Sequence, residues 1–112
     1  MIIKEKTRGD VTVVSLGGSL LGEPDVTNLR QTVYRLLQEN RKKFIFDLGN
    51  LKFINSAGLG AFISACTSVR NRGGDLCLAR VRDKVEAVIM ITQLIKVFKI
   101  YENVERAVDR FK

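Results

Sequence analysis

The chain has 112 residues and a formal net charge of +7, and 46% of its residues are hydrophobic. This length and content suit one domain, residues 1–112, and no apolar run approaches the roughly 20 residues that a membrane-spanning helix needs. The first ten residues lack the apolar segment of a secretory signal, so we expect a cytoplasmic protein that does not contact a membrane.

The sequence contains no histidine, which argues against an enzyme. Without histidine, the commonest general base near neutral pH, neither a Ser–His nor a Cys–His nucleophile pair is available. Cys66 and Cys77 stand among apolar neighbours and are too few for a structural zinc site, which needs about four Cys or His ligands. We therefore predict free buried thiols, no metal, no cofactor and no catalytic residue.

The excess of positive charge is spread along the chain, without the aromatic interleaving or motifs typical of nucleic-acid binding. A solvated basic surface explains this distribution better than a nucleic-acid interface does. An acidic protein partner would also suit it.

Strands and helices alternate after an N-terminal hairpin. Predicted strands, bounded by glycine and polar residues, cover residues 2–6, Val11–Leu16 (ended by Gly17 and Gly18), Phe44–Leu48, Leu76–Val81 and Val97–Ile100, with residues 49–53 as a connector. Helices are predicted from near Asp25 or Thr27, either of which could be the N-cap, to about Asn40, from Ser56 to about Val69, from Asp83 to about Thr92, and over Glu102–Phe111. This order predicts an α/β fold with a mixed, mostly parallel sheet of four to five strands and about four helices.

A tight corner joins the central strand to the helix that begins at Ser56. The first amides of a helix lack intrahelical partners and its N-terminus is electropositive. Asn55 or Ser56 can cap these amides, and capping alone explains either residue. The same position would also hold a phosphate on Ser56 without melting the helix.

Two glycines, Gly58 and Gly60, follow in the first turn of this helix. Because glycine is costly inside a helix, they indicate either a close approach of another backbone or tight packing of helix on sheet. The stretch lacks the ending of a phosphate-binding loop, and it is not a nucleophile elbow.

Residues 46–65, FDLGNLKFINSAGLGAFISA, resemble the signature of STAS domains, the family of bacterial anti-sigma factor antagonists. Asp47-Leu48, Phe53-Ile54 and Ser56-x-Gly58-Leu59-Gly60 fall in place. The resemblance continues through the helix stop GGDLCL (residues 73–78) and the segment VEAVIMITQLIKVFKIYENVERAV (residues 85–108), and so covers essentially the whole chain.

The resemblance implies an anti-sigma factor antagonist that binds a serine kinase anti-sigma factor. It implies phosphorylation on Ser56 by that kinase, reversal by a PP2C-type phosphatase, and a partner-binding surface at Asn55, Ser56, Ala57, Gly58 and Leu59. The neighbouring loop, residues 18–25, is expected beside this corner from the family topology.

Three departures from the family pattern stand out. Asn55 replaces an acidic residue and Ala57 a second hydroxyl. Leu21 stands where a carboxylate is usual, and Glu23 or Asp25 could replace that group. Alternatives are a scaffold of the same fold that is not phosphorylated, as part of a signalling or lipid-transport assembly, and a small enzyme or nucleotide-binding protein.

Overall fold

The computed structural model describes residues 1–93 and 96–112. Residues 94–95 lie outside the described residues. They belong to the segment 85–108, which was quoted above for its resemblance to the family. The elements in chain order are β1 (Ile2–Arg8), β2 (Val11–Leu20), α1 (Asp25–Gln38), β3 (Lys43–Ile54), α2 (Ser56–Asn71), β4 (Asp75–Ala79), α3 (Asp83–Ile91), β5 (Ile100–Tyr101) and α4 (Val104–Arg110).

The strands form one sheet in the order β1-β2-β3-β4-β5. β1 is antiparallel to β2, and every other neighbouring pair is parallel. This confirms the predicted α/β class, the N-terminal hairpin and the mixed, mostly parallel sheet.

Three crossover helices cover one face of the sheet and the last helix covers the other. Because consecutive parallel strands lie side by side and such crossovers are right-handed, α1, α2 and α3 fall on the same face. Their apolar residues pack with Phe44, Phe46 and Leu48 of β3 in the larger core. On the opposite face, Ala107 and Val108 of α4 pack against Ile45 in a smaller core. Among the described residues, none of the helices combines the length and apolarity that crossing a bilayer requires.

The predicted ends of two central strands are wrong. β2 continues through Gly17 and Gly18 to Leu20, and β3 continues through the predicted connector to Ile54. The two extensions pair with each other, with irregular register, as far as Leu20 opposite Ile54. The two extensions form backbone hydrogen bonds with each other. Neither stretch of sequence, taken alone, predicts that the other is its partner.

Smaller corrections concern the edge and the helices. The last strand is Ile100–Tyr101 instead of Val97–Ile100, because its short ladder pairs Leu78 with Ile100 and Ala79 with Tyr101. Ile63, which shares the apolar spacing of α2, is 39% exposed.

The prediction that Asp25 or Thr27 caps α1 is also wrong. The N-cap is Pro24, and no side chain caps from that position. Instead the Glu23 carboxylate accepts hydrogen bonds from the Thr27 amide at 2.8 Å and from the Thr27 hydroxyl at 2.7 Å. These two bonds hold the pKa of Glu23 below its usual value.

Candidate functional site

The site predicted from the sequence lies where β3 passes into α2, at the carboxyl end of the parallel strands. The loop between β2 and α1 lies beside it, as expected. The Asn55 side-chain amide donates to the carbonyl oxygen of Leu21 at 2.8 Å. The corner and the loop therefore form one continuous surface, which we call the Ser56 corner (residues 55–57 with loop residues 21–24).

Asn55 is the N-cap of α2. Its backbone is extended, its Oδ1 accepts from the Gly58 amide at 3.1 Å, and its carbonyl oxygen accepts from the Leu59 amide at 2.9 Å. An aspartate here could accept from Gly58, but it could not donate to Leu21 when ionised. Asparagine in place of the family's acid therefore adds a link between the cap and the neighbouring loop.

Ser56 and Ala57 form the first exposed positions of α2. The first turn of the helix contains no acidic residue. Within the described part of the chain, no hydrogen bond uses the amide N–H of Ser56 or Ala57. The positive end of α2 is thus open to solvent and to an anion, and the Ser56 side chain stands at that end.

Gly58 and Leu59 lie beneath this surface and are buried. A Cβ on Gly58 would lie 2.6 Å from the Leu20 carbonyl oxygen and 2.6 Å from Ile54 Cγ1, so only glycine fits there. Gly60 is different, because a Cβ there would meet nothing within 4 Å. Of the five residues predicted to bind a partner, Asn55, Ser56 and Ala57 are exposed, whereas Gly58 and Leu59 are buried.

The two acids considered as replacements for the family's upstream carboxylate have other contacts. Glu23 bonds to Thr27 at the start of α1, as described above. Asp25 Oδ1 lies 3.5 Å from the N-terminal nitrogen of Met1.

Sequence reasoning missed a basic cleft that lies, like the Ser56 corner, toward the carboxyl end of β3. It has a volume of about 590 Å³ and is lined by residues 49–53 of β3 and residues 82–84 at the start of α3. Three cations, Lys52, Arg82 and Lys84, line it against one acid, Asp83. Arg82 and Lys84 come three and five residues after the end of β4, and cations placed after a strand were the signal that could have located the cleft.

The cysteine prediction is confirmed, since Cys66 and Cys77 are free and buried. Burial raises the pKa of the Cys77 thiol to about 12 and also raises the pKa of Cys66. Neither thiol is activated for chemistry.

A sequence model of the STAS domain matches residues 3–107. The chain therefore belongs to the STAS domain family, as the resemblance indicated. It is 26% identical over 99 residues to the anti-sigma F factor antagonist of Paenibacillus polymyxa, a match that covers 88% of this chain and 84% of that protein.

Solved structures show the same fold. A candidate anti-sigma factor antagonist of Thermotoga maritima matches with a TM-score of 0.88 and 24% identity, covering 96% of this chain and 92% of that one. The phosphorylated form of the Bacillus cell fate determinant SpoIIAA matches with a TM-score of 0.77 and 18% identity, covering 99% and 100%. The unphosphorylated form of SpoIIAA matches with a TM-score of 0.74 and 17% identity, covering 98% and 97%.

Proposed function

We propose that this protein is a cytoplasmic anti-sigma factor antagonist, and that phosphorylation of Ser56 turns its binding off. In the unmodified state the Ser56 corner binds an anti-sigma factor that is itself a serine kinase, which frees the sigma factor. The protein acts by binding and not by catalysis, and a PP2C-type phosphatase returns it to the active form. The names of its relatives and the resemblance of its central motif support this role.

The observation that carries the proposal is the exposure of Ser56 at the uncompensated N-terminus of α2. A phosphate there adds about 1.5 to 2 negative charges and three acceptor oxygens. The helix end favours this charge, so the fold keeps its stability. The modified corner would instead repel acidic groups of a partner and block close packing over Ala57.

Intact-mass measurement tests the modification. The protein is incubated with ATP and each purified kinase-type anti-sigma factor of its organism. We expect the mass of one added phosphate, and none for Ser56→Ala. Ser64→Ala removes a different hydroxyl of α2, and this control should be modified like the unchanged protein.

An unmodified mass with every kinase, or a phosphate that persists in Ser56→Ala, would contradict the proposal. Such a result would favour the alternative of a scaffold of the same fold that is not phosphorylated. A binding measurement then completes the test, because Ser56→Asp should weaken the complex with the anti-sigma factor while Ser64→Asp should leave it nearly unchanged.

A further inference from the structure

The edge of β3 that faces away from β2 is unpaired over its second half. β3 has 12 residues and β4 has 5. On β3, only the residues from Lys43 to Asp47 pair with β4, whereas pairing with β2 continues as far as Ile54. In the described ranges, residues 49–53 therefore have a strand on one side only, and we call their free side the open edge.

The open edge exists because the chain turns away after β4. Ala79 is the last residue of β4, and Arg80 adopts a left-handed backbone conformation with φ of 58°. The Arg80 side chain then lies over the backbone of Gly49, where a Cβ would be only 2.0 Å from Nη2, and its Nη1 is 3.5 Å from Asp47 Oδ2. The Arg80 side chain thus packs on the face of β3 at Asp47 and Gly49, and β4 does not continue beside residues 49–53.

The basic cleft lies along this same edge, so its cations flank unpaired backbone. Phe53 in the cleft is 43% exposed, and Lys84 Nζ lies 4.6 Å from the centre of its ring. In the described part of the chain, none of the residues 49–53 has a hydrogen bond to the loop that carries Arg82 and Lys84. The surface combines backbone donors and acceptors, an apolar ring and an excess of positive charge.

We propose that the open edge binds an extended acidic segment of a partner protein by strand addition. An added strand would pair with the backbone groups that residues 50–53 direct away from β2, which is how many proteins bind extended peptides. The Gly49 amide already donates to Asp47 Oδ1 at 3.1 Å. Lys52 and Phe53 are both exposed, so acidic side chains of that strand would lie near Lys52 and apolar ones would pack on Phe53. Three cations against one acid in the cleft select an acidic segment. This function goes beyond the proposed role of Ser56, because it needs no phosphate.

Solution NMR with a defined probe tests the inference. The probe is an acetylated, amidated eight-residue peptide of alternating Glu and Val, added to the labelled protein at up to about 1 mM, the range of a weak complex. We expect amide shifts centred on residues 49–53 and 82–84, and slower hydrogen exchange of amides on the open edge. Shifts centred elsewhere, or none at that concentration, would overturn the inference.

A methylated peptide separates strand addition from simple attraction of charge. The same peptide with every backbone nitrogen methylated keeps its charge and loses its donors on both edges, so its binding should be lost. Equal binding of the methylated peptide would overturn strand pairing and would indicate a site for anions in general, including nucleic acid.

Charge-reversed variants locate the site. Lys52→Glu/Lys84→Glu should raise the Kd by at least about tenfold, because two attractive groups become repulsive. Lys4→Glu/Lys6→Glu on β1, an edge strand of the sheet, is the matched control and should leave the Kd nearly unchanged. An equal rise in Kd for the two double variants would contradict this location of the binding site. Ser56→Ala should bind the peptide normally, so failure of the Ser56 proposal and failure of this one are distinguishable.

Discussion

The first turns of α2 and α4 begin with the same cap and differ in charge. Asn55 and Asn103 each accept a hydrogen bond from the amide three residues further on, at 3.1 and 2.9 Å. α4 then places Glu105 in its first turn, where both carboxylate oxygens contact Arg8 at 2.5 and 2.6 Å. α2 has no acid in its first turn.

The same asparagine cap therefore begins two helices whose N-terminal charge is balanced differently. The N-terminus of α4 is compensated by the chain's own carboxylate and ties the helix to β1. The N-terminus of α2 has no such carboxylate in its first turn, and under the proposed function a phosphate on the exposed Ser56 hydroxyl would supply the charge. Four substitution experiments sharpen this contrast, beginning with the largest expected effect.

Alanine substitution at the third residue of α2 and of α4 should give the largest difference in stability. Gly58→Ala places a methyl group 2.6 Å from the Leu20 carbonyl oxygen, so we expect the free energy of unfolding to fall by about 2–3 kcal/mol. Arg106 is exposed at the same position of α4, and Arg106→Ala should change stability little. Chemical denaturation measures both.

Gly60→Ala is the control for glycine itself. Because a Cβ there meets nothing within 4 Å, this variant should gain up to about 1 kcal/mol from helix propensity. Equal losses at Gly58 and Gly60 would contradict a role for close packing of α2 on β2.

Removing the cap of α2 should lower the stability more than removing the cap of α4. Asn103→Ala removes one capping bond and should cost about 1 kcal/mol, whereas Asn55→Ala also removes the bond to Leu21 and should cost up to about 2 kcal/mol. Asn55→Asp keeps the acceptor and loses the donor, so its loss should lie between. Thermal denaturation gives the order, and a more stable Asn55→Ala than Asn103→Ala would contradict it.

Ser56→Asp places a carboxylate at the open end of α2. We expect a gain of about 0.3–1 kcal/mol from the helix dipole, with an unchanged circular dichroism spectrum. Ser68→Asp makes the same change in the last turn of the same helix, where the sign reverses, and should lower the melting temperature. A large loss in Ser56→Asp would show that this end does not tolerate an anion.

The smallest effect concerns the compensated end of α4. The hydrogen bond from Arg8, together with its charge, holds the pKa of Glu105 below its ordinary value of 4.5. A pKa lowered by folding stabilises the fold above that ordinary value, and the contribution is lost as the pH falls through the folded-state pKa. Acid should therefore lower the melting temperature slightly less in Glu105→Gln than in the unchanged protein. An equal acid response would contradict the pairing.

Much of this contrast could be predicted from local sequence. Hydrophobic spacing located the four helices of the described residues. Capping preference left Asn55 and Ser56 as candidate caps of α2, and the structure shows that Asn55 is the cap. The presence of Glu105 in the first turn of α4 and the absence of an acid in α2 are also visible in the sequence. What sequence alone missed depends on partners distant in the chain.

The extension of β3 through residues 49–53 shows the reason most clearly. Gly49 and Asn50 are typical of a turn, and β3 continues past them because Asn50 and the residues after it pair with the end of β2. The open edge requires in addition that β4 stop at Ala79, which Arg80 brings about through a left-handed backbone conformation unusual for its residue type. Likewise, the cap of α1 by Glu23 uses a residue outside the usual capping position.

The most direct test of the Ser56 proposal is the NMR spectrum of the protein with phosphoserine incorporated at position 56. We predict amide shifts confined to residues 55–60 and to loop residues 21–24, with the remaining resonances unmoved and the melting temperature within about 5 °C of the unmodified protein. Shifts that spread through the β-sheet core, or loss of the dispersed spectrum, would contradict the claim that α2 accepts this charge without a change of fold.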